Sequence, residues 1–186
     1  MSRPSPISLS YPADPTPSTT AAHTTALLDL LGDRDPIKVM QGLLPALRAG
    51  TDGLSDAALR RPEAPGKWSI LEVIQHLTDS ELVYGYRLRA IVAEDDPAIA
   101  GYDQNKWAER LRYNDEDLAD VLDELAVLRR RNLRFLERLR DDEWERAGLH
   151  SERGRESVRR VARLLAAHDL AHLRQIERIK RAQSTD

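Results

Sequence analysis

The chain has 186 residues, no cysteine, and 31 acidic against 28 lysine and arginine side chains, for a net charge of −3. This length fits one ordinary domain able to bury a core, and the balance lacks the basic excess of a nucleic-acid binder, so no nucleic-acid partner is expected. Without cysteine there is no disulfide framework, thiolate ligand or cysteine nucleophile, which points to the cytoplasm, and no stretch reaches the roughly 18 to 20 apolar residues of a membrane span.

Residues 1–20 carry Pro4, Pro6, Pro12, Pro15 and Pro17 but no apolar core of a secretory signal. They are expected to form an irregular arm, leaving residues 21–186 as a single domain. Asp35-Pro36 supplies a helix cap followed by a proline at the first helical position. The helix it opens should reach about Gly50, with a kink at Pro45. Ser69 stands three residues before Glu72, the spacing of a reciprocal capping box, and Trp68 with Val73 forms a hydrophobic staple around it. The helix predicted from Ile70 to about Ala93 carries Ile70, Val73, Ile74, Leu77, Tyr84, Leu88 and Ile91 at helical spacing, with His76 on the edge of that stripe. Pro97 to Arg112 reads as a long connection with a short helix around Asn105, of a length that often covers or builds a site. A third long helix is expected from about Asp115 to Leu139. Its apolar register of Leu118, Val121, Leu122, Leu125 and Leu128 leaves Arg129-Arg130-Arg131 as a solvated face, and places Asn132 among apolar neighbours without an assigned purpose. After a turn-rich piece containing His150 and Gly154, Ser157 caps a last helix that runs to about Arg181. Four long helices and no convincing alternating strand segment predict an all-α bundle.

The most informative pattern is His168-Asp169-Leu170-Ala171-His172 on that last helix. Residues four apart share a helix face, so both imidazoles can reach one metal ion at roughly 2.0 to 2.1 Å. The stripe Val158, Val161, Leu165, His168, His172, Ile176, Ile179 puts both in the core register, where each unpaired imidazole would cost roughly 1 to 3 kcal/mol in desolvation. A shared ion removes that cost. Two ligands are too few for a transition metal, so a third must come from elsewhere. His23, His76 and His150 are the remaining histidines, and His76 should face a neighbouring helix. A lone histidine beside a core face is more often structural than a ligand.

Gly66-Lys67-Trp68-Ser69 leading into His76-Leu77-Thr78-Asp79-Ser80, then Pro97-Ala98-Ile99, Tyr102-Asp103 and Trp107, and finally His168 and His172, together resemble the DinB-like four-helix superfamily. The closer likeness is to its branch of bacillithiol S-transferases and candidate metal-dependent hydrolases. The resemblance spans about Leu43 to Ile179, and Tyr11-Pro12 looks like a motif at the start of that branch. It implies a DinB-like four-helix bundle, a homodimer, and one divalent metal ion on His76, His168 and His172. Where many relatives carry further histidines, this chain has Ala167, Asp169 and Leu170, and Glu81 stands near a position where some carry a histidine. No role is assigned to Glu81.

Three neutral imidazoles leave positions open on a divalent ion, as catalytic rather than structural sites do. The resemblance implies a low-molecular-weight thiol of the bacillithiol type as co-substrate, transferred to an electrophilic small molecule. The absence of cysteine means that such a thiol must be external. The alternatives are a hydrolase using metal-bound water and a non-catalytic metal-binding stress-response protein. Zinc or nickel is expected first, with iron or manganese as further options, because imidazole suits all of them. Asp79, three residues after His76, could orient an imidazole or act as a base, or be an ordinary surface or capping carboxylate. Tyr102, Asp103 and Trp107 could line the substrate pocket, or anchor a covering segment to the core.

Overall fold

The computed structural model describes residues 17–184. Most of the expected arm, including Tyr11-Pro12, lies outside the described residues, but its last four residues do not: helix α1 spans Pro17–Leu31. The helices that follow are α2 (Pro36–Thr51), α3 (Asp56–Arg60), α4 (Ile70–Ala93), α5 (Gln104–Arg110), α6 (Leu118–Leu136), α7 (Asp141–Trp144) and α8 (Val158–Gln183). The cap at Asp35 forms as expected, its carboxylate accepting from Ile37 N, and α2 continues through Pro45 to Thr51. At the start of α4 both halves of the capping box are present: Glu72 accepts from Ser69 N at 2.7 Å and Ser69 Oγ accepts from Glu72 N at 3.2 Å.

Four of these helices close a ring. Helix α2 packs on α8, α8 on α4, α4 on α6, and α6 back on α2. Chain neighbours are therefore not always neighbours in space, and the stretches between α2 and α4 and between α6 and α8 cross the ends of the bundle. Helix α1 packs on the outside of α8.

The connections from α4 to α6 and from α6 to α8 together build a feature absent from the expected all-helical fold, a small three-stranded sheet. Strand β1 (Ala98–Ile99) runs parallel to β2 (Ala147–His150), which pairs antiparallel with β3 (Gly154–Ser157). Gly148 is required here, because a Cβ at that position would stand 2.9 Å from Pro97 O and 3.1 Å from Ile91 Cγ1. The sheet thus seats against the end of α4. Its strands are short and irregular in composition, so no alternation announced them.

The core divides into two apolar clusters, one around Leu88, Ile91, Leu136, Val161 and Leu165, the other around Leu43, Leu47, Ile74, Leu77, Leu125 and Ile176. Between them on α4, α6 and α8 sits a layer of buried charge, which corrects the reading of Arg129-Arg130-Arg131 as one solvated face. Arg130 and Arg131 are exposed, but Arg129 is buried. Arg129 pairs with Asp169 through two hydrogen bonds of 2.6 and 3.0 Å, with Glu81 at 2.9 Å, and donates to Met40 O at 2.9 Å. Asn132 Nδ2 donates to Glu81 O and Oε2 at 2.8 and 2.9 Å. Burial pulls the arginine pKa down, and the two carboxylates more than offset that. Burial also pushes Asp169 up to about 6 against the pull of Arg129. Glu81, given no role from sequence, is one of the two acids that draw Arg129 inward. Asn132 caps the same network.

Candidate metal centre

The register of α8 and the packing of α4 against it bring His76, His168 and His172 to one point. His168 Nε2 lies 2.9 Å from His76 Nε2 and 3.0 Å from His172 Nε2, and one ring nitrogen from each of the three falls within 4.8 Å of the others. Ligand atoms at roughly 2.0 to 2.1 Å from a shared ion stand about 3 Å apart, so the spacing fits one divalent cation.

Electrostatics support the same fit. Burial lowers the pKa of all three rings, that of His172 to about 4, and the neighbouring imidazoles lower His76 and His168 further. The rings are therefore neutral at pH 7. His172 Nδ1 is 2.8 Å from Gln175 Oε1, an atom that only accepts, which assigns the ring proton to Nδ1 and leaves the Nε2 lone pair facing the cluster. Among the described residues no carboxylate takes part in the cluster. Three converging nitrogens cannot all donate to one another, and a cation at their centre satisfies all three.

Two aromatic rings flank the cluster. Trp68 lies 4.9 Å from the His76 ring centroid and 6.5 Å from that of His172, stacked on the latter, and Tyr84 lies 6.4 Å from His168. The staple residue read from the sequence is thus also a wall of the centre. A cavity of about 80 Å³ opens beside it, reached by His76, Ser80, Tyr84 and Arg87 of α4, His168 of α8, and Tyr102 and His150 from the connecting segments.

The remaining candidate residues separate by position. Tyr102 lines the cavity, its hydroxyl 3.3 Å from Ser80 Oγ and its pKa pushed up to about 12 by burial. Trp107 braces Tyr102 from behind at 4.5 Å between ring centroids. Asp103 is exposed and caps α5, accepting from Asn105 N and Lys106 N, and it does not line the cavity. Asp79 accepts from Tyr113 Oη at 2.5 Å and from Gln75 Nε2 at 3.5 Å, with no bond to an imidazole. Burial raises its pKa and the tyrosine bond partly opposes that. Sequence reasoning gave no site role to Trp68, Ser80, Arg87, His150 or Gln175. The spacing of Gln175, three residues after His172 on the same helix, was the available signal for the last.

Comparison with known proteins finds chains similar to this one. The profile of the DinB superfamily matches residues 43–176. YfiT from Bacillus subtilis, whose name describes it as a candidate metal-dependent hydrolase, is 29% identical over 119 residues, 62% of this chain and 65% of its own. A protein of the same description from Oceanobacillus iheyensis is 32% identical over 111 residues, covering 60% of this chain and 64% of its own. The matched segments thus span just under two thirds of the length of these relatives. The solved structure of YfiT, described as a probable metal-dependent hydrolase with an unusual four-helix bundle topology, superposes with a TM-score of 0.76 at 24% identity, covering 96% of this chain and 99% of that one.

Proposed function

Since the chain belongs to the DinB superfamily, we propose that His76, His168 and His172 hold one divalent ion and that the protein is a metal-dependent enzyme acting on small molecules, first of all a low-molecular-weight thiol S-transferase. The observation that carries this is the convergence of three neutral Nε2 atoms beside a cavity, with no fourth protein ligand in the cluster among the described residues. An ion so held supplies Lewis acidity, which lowers the pKa of a coordinated thiol or water. The chain's own residues hold the imidazoles neutral and oriented, through burial and through Gln175 on His172. Trp68 and Tyr84 exclude water from the flanks of the cluster. Tyr102 closes the cavity from the connecting segment and, with its raised pKa, stays protonated as a donor. The nucleophilic sulfur is external, because the chain has none.

The names of the relatives favour a second reading, hydrolysis through water activated at the same place. Metal-loaded protein incubated with a panel of low-molecular-weight thiols, including bacillithiol, and chlorodinitrobenzene separates the two. A conjugate that requires both metal and thiol supports the transferase. Ester or amide cleavage without thiol, and no conjugate with it, supports the hydrolase. Neither activity across the panel leaves a non-catalytic metal-binding protein. Zinc and nickel are the ions to load first. Among the described residues no helix is long and apolar enough to cross a membrane, in keeping with a proposed cytoplasmic location, and sedimentation tests the proposed homodimer.

A further inference from the structure

The cavity beside the histidines holds two polar groups to which the reading above gives no task. His76, Ser80, Tyr84 and Arg87 follow one another along α4 at spacings of four, four and three, so a single helix face runs from the histidine cluster to a guanidinium. At 1.5 Å rise per residue the two ends of that stripe are about 16 Å apart along the axis. Arg87 is only 5% exposed and forms no ion pair among the described residues. Glu156, an acid whose charge reaches it, is already held by Arg153 through two bonds of 2.8 Å. Among the described residues the guanidinium donates once, from Nη2 to Ala100 O at 2.6 Å, and it rests over the rings of Tyr84 and Tyr102 at 5.3 and 5.8 Å. A carbonyl and two aromatic faces offset part of its desolvation, but a buried cation normally meets an acid. Most of its five donors find no partner among the described residues.

His150 stands at the end of β2 and lines the same cavity. It is 3% exposed. Glu152 N donates to its Nδ1 at 3.1 Å, which assigns the proton of the neutral ring to Nε2. That Nε2 is buried without a partner among the described residues. An N–H donor and an unneutralised guanidinium therefore lie in one small cavity, along a helix face that leads to the histidine cluster. Glu152 also lines the cavity, from the exposed turn between β2 and β3.

We propose that Arg87 and His150 form a binding subsite for a carboxylate, and that the small molecule acted on at the three histidines, if the function proposed above holds, carries its acid group here. The carboxylate accepts from the guanidinium and from His150 Nε2, which gives the buried cation its missing counter-charge. The subsite positions one end of an elongated molecule while its other end reaches the histidines.

The test uses the full chain, both zinc-loaded and after chelation, with succinate as probe and neutral succinamide as control. Succinate should shift the Arg87 Nε resonance saturably in both preparations, and succinamide should not. In Arg87→Met, succinate binding followed by calorimetry should weaken at least about tenfold, the loss expected for a charge-assisted bond, and in His150→Phe by a smaller factor. Equal binding of succinamide, unchanged affinity in folded Arg87→Met, or an Arg87 resonance that ignores succinate would each overturn the proposal. If Arg87→Met does not fold, the wild-type titration decides alone. Binding that persists after chelation separates this subsite from the metal reading, since a carboxylate captured by the ion would be lost with it.

Discussion

A buried polar cluster and a partly buried one lie close together on α4 and α8, and they are built on opposite principles. Glu81, Arg129 and Asp169 bring opposite charges together and, with Asn132 and Met40 O, engage one another. His76, His168 and His172 bring three bases together with no acid among them. Residues 168 and 169 are adjacent, so one turn of α8 serves both clusters from different faces. The closed cluster has its partners within the fold and belongs to the structure. The open one has lone pairs left over, and no partner for them stands among the described residues.

Removing Arg129 should break that comparison most severely. Arg129→Met leaves two buried carboxylates without a cation, and chemical denaturation should show a loss of about 3 to 5 kcal/mol, the usual result of orphaning a buried charge. Replacing Glu81, Arg129 and Asp169 together with apolar residues of similar volume should recover most of it. On the open side, His168→Ala should keep its helical circular dichroism but lose bound metal by elemental analysis, and with it the gain in stability on adding zinc, about 4 kcal/mol at a thousandfold excess over Kd.

A subtler change sharpens the contrast. Gln175→Leu removes the acceptor that orients His172 and should weaken metal affinity by about 10- to 100-fold, measured by competition with a chelator, while metal-free stability moves by less than about 1 kcal/mol. The smallest effect concerns pH. Burial first, and then the charges of Arg153 and Arg87, lower the His150 pKa from 6.5 to about 4. The unfolded chain therefore takes up this proton before the folded one does as pH falls. Its contribution to stability is complete above pH 6.5 and is lost on descent toward pH 4. His150→Gln should flatten the fall of the melting temperature across that window, and an unaltered slope would show that His150 does not titrate as described.

Legibility followed whether local signals agreed. The helix from Ile70 to Ala93 announced itself through a capping box, a staple and an apolar stripe that all gave one answer. The three histidines were legible through i,i+4 spacing for two of them and through resemblance for the third. Helix α1 was not read, because proline, threonine and alanine dominate its first half and its burial comes from α8. The sheet was hidden because Ala-Gly-Leu-His and Gly-Arg-Glu-Ser lack both alternation and β-branched residues. Arg129 was misplaced for a different reason. Three consecutive arginines look alike in sequence, yet successive helical residues point about 100° apart, and the acids that select Arg129 sit on other helices. Arg87 gave no signal at all as one arginine among many, since its distinction is that it meets no ion-pair partner among the described residues.

The placement of Trp68 supplies the centre with an optical label of its own. Of the three indoles in the chain, Trp107 packs on Tyr102 and Trp144 lies beneath Arg159, whereas Trp68 contacts two of the three imidazoles. Emission from that one ring reads the electronic character of whatever the histidines hold. A closed-shell ion such as zinc leaves its excited state largely intact, while an ion with a partly filled d shell, such as nickel or iron, opens a route for quenching at this range. Loading the protein with nickel should thus dim the Trp68 share of its emission, while loading with zinc should leave it largely unchanged.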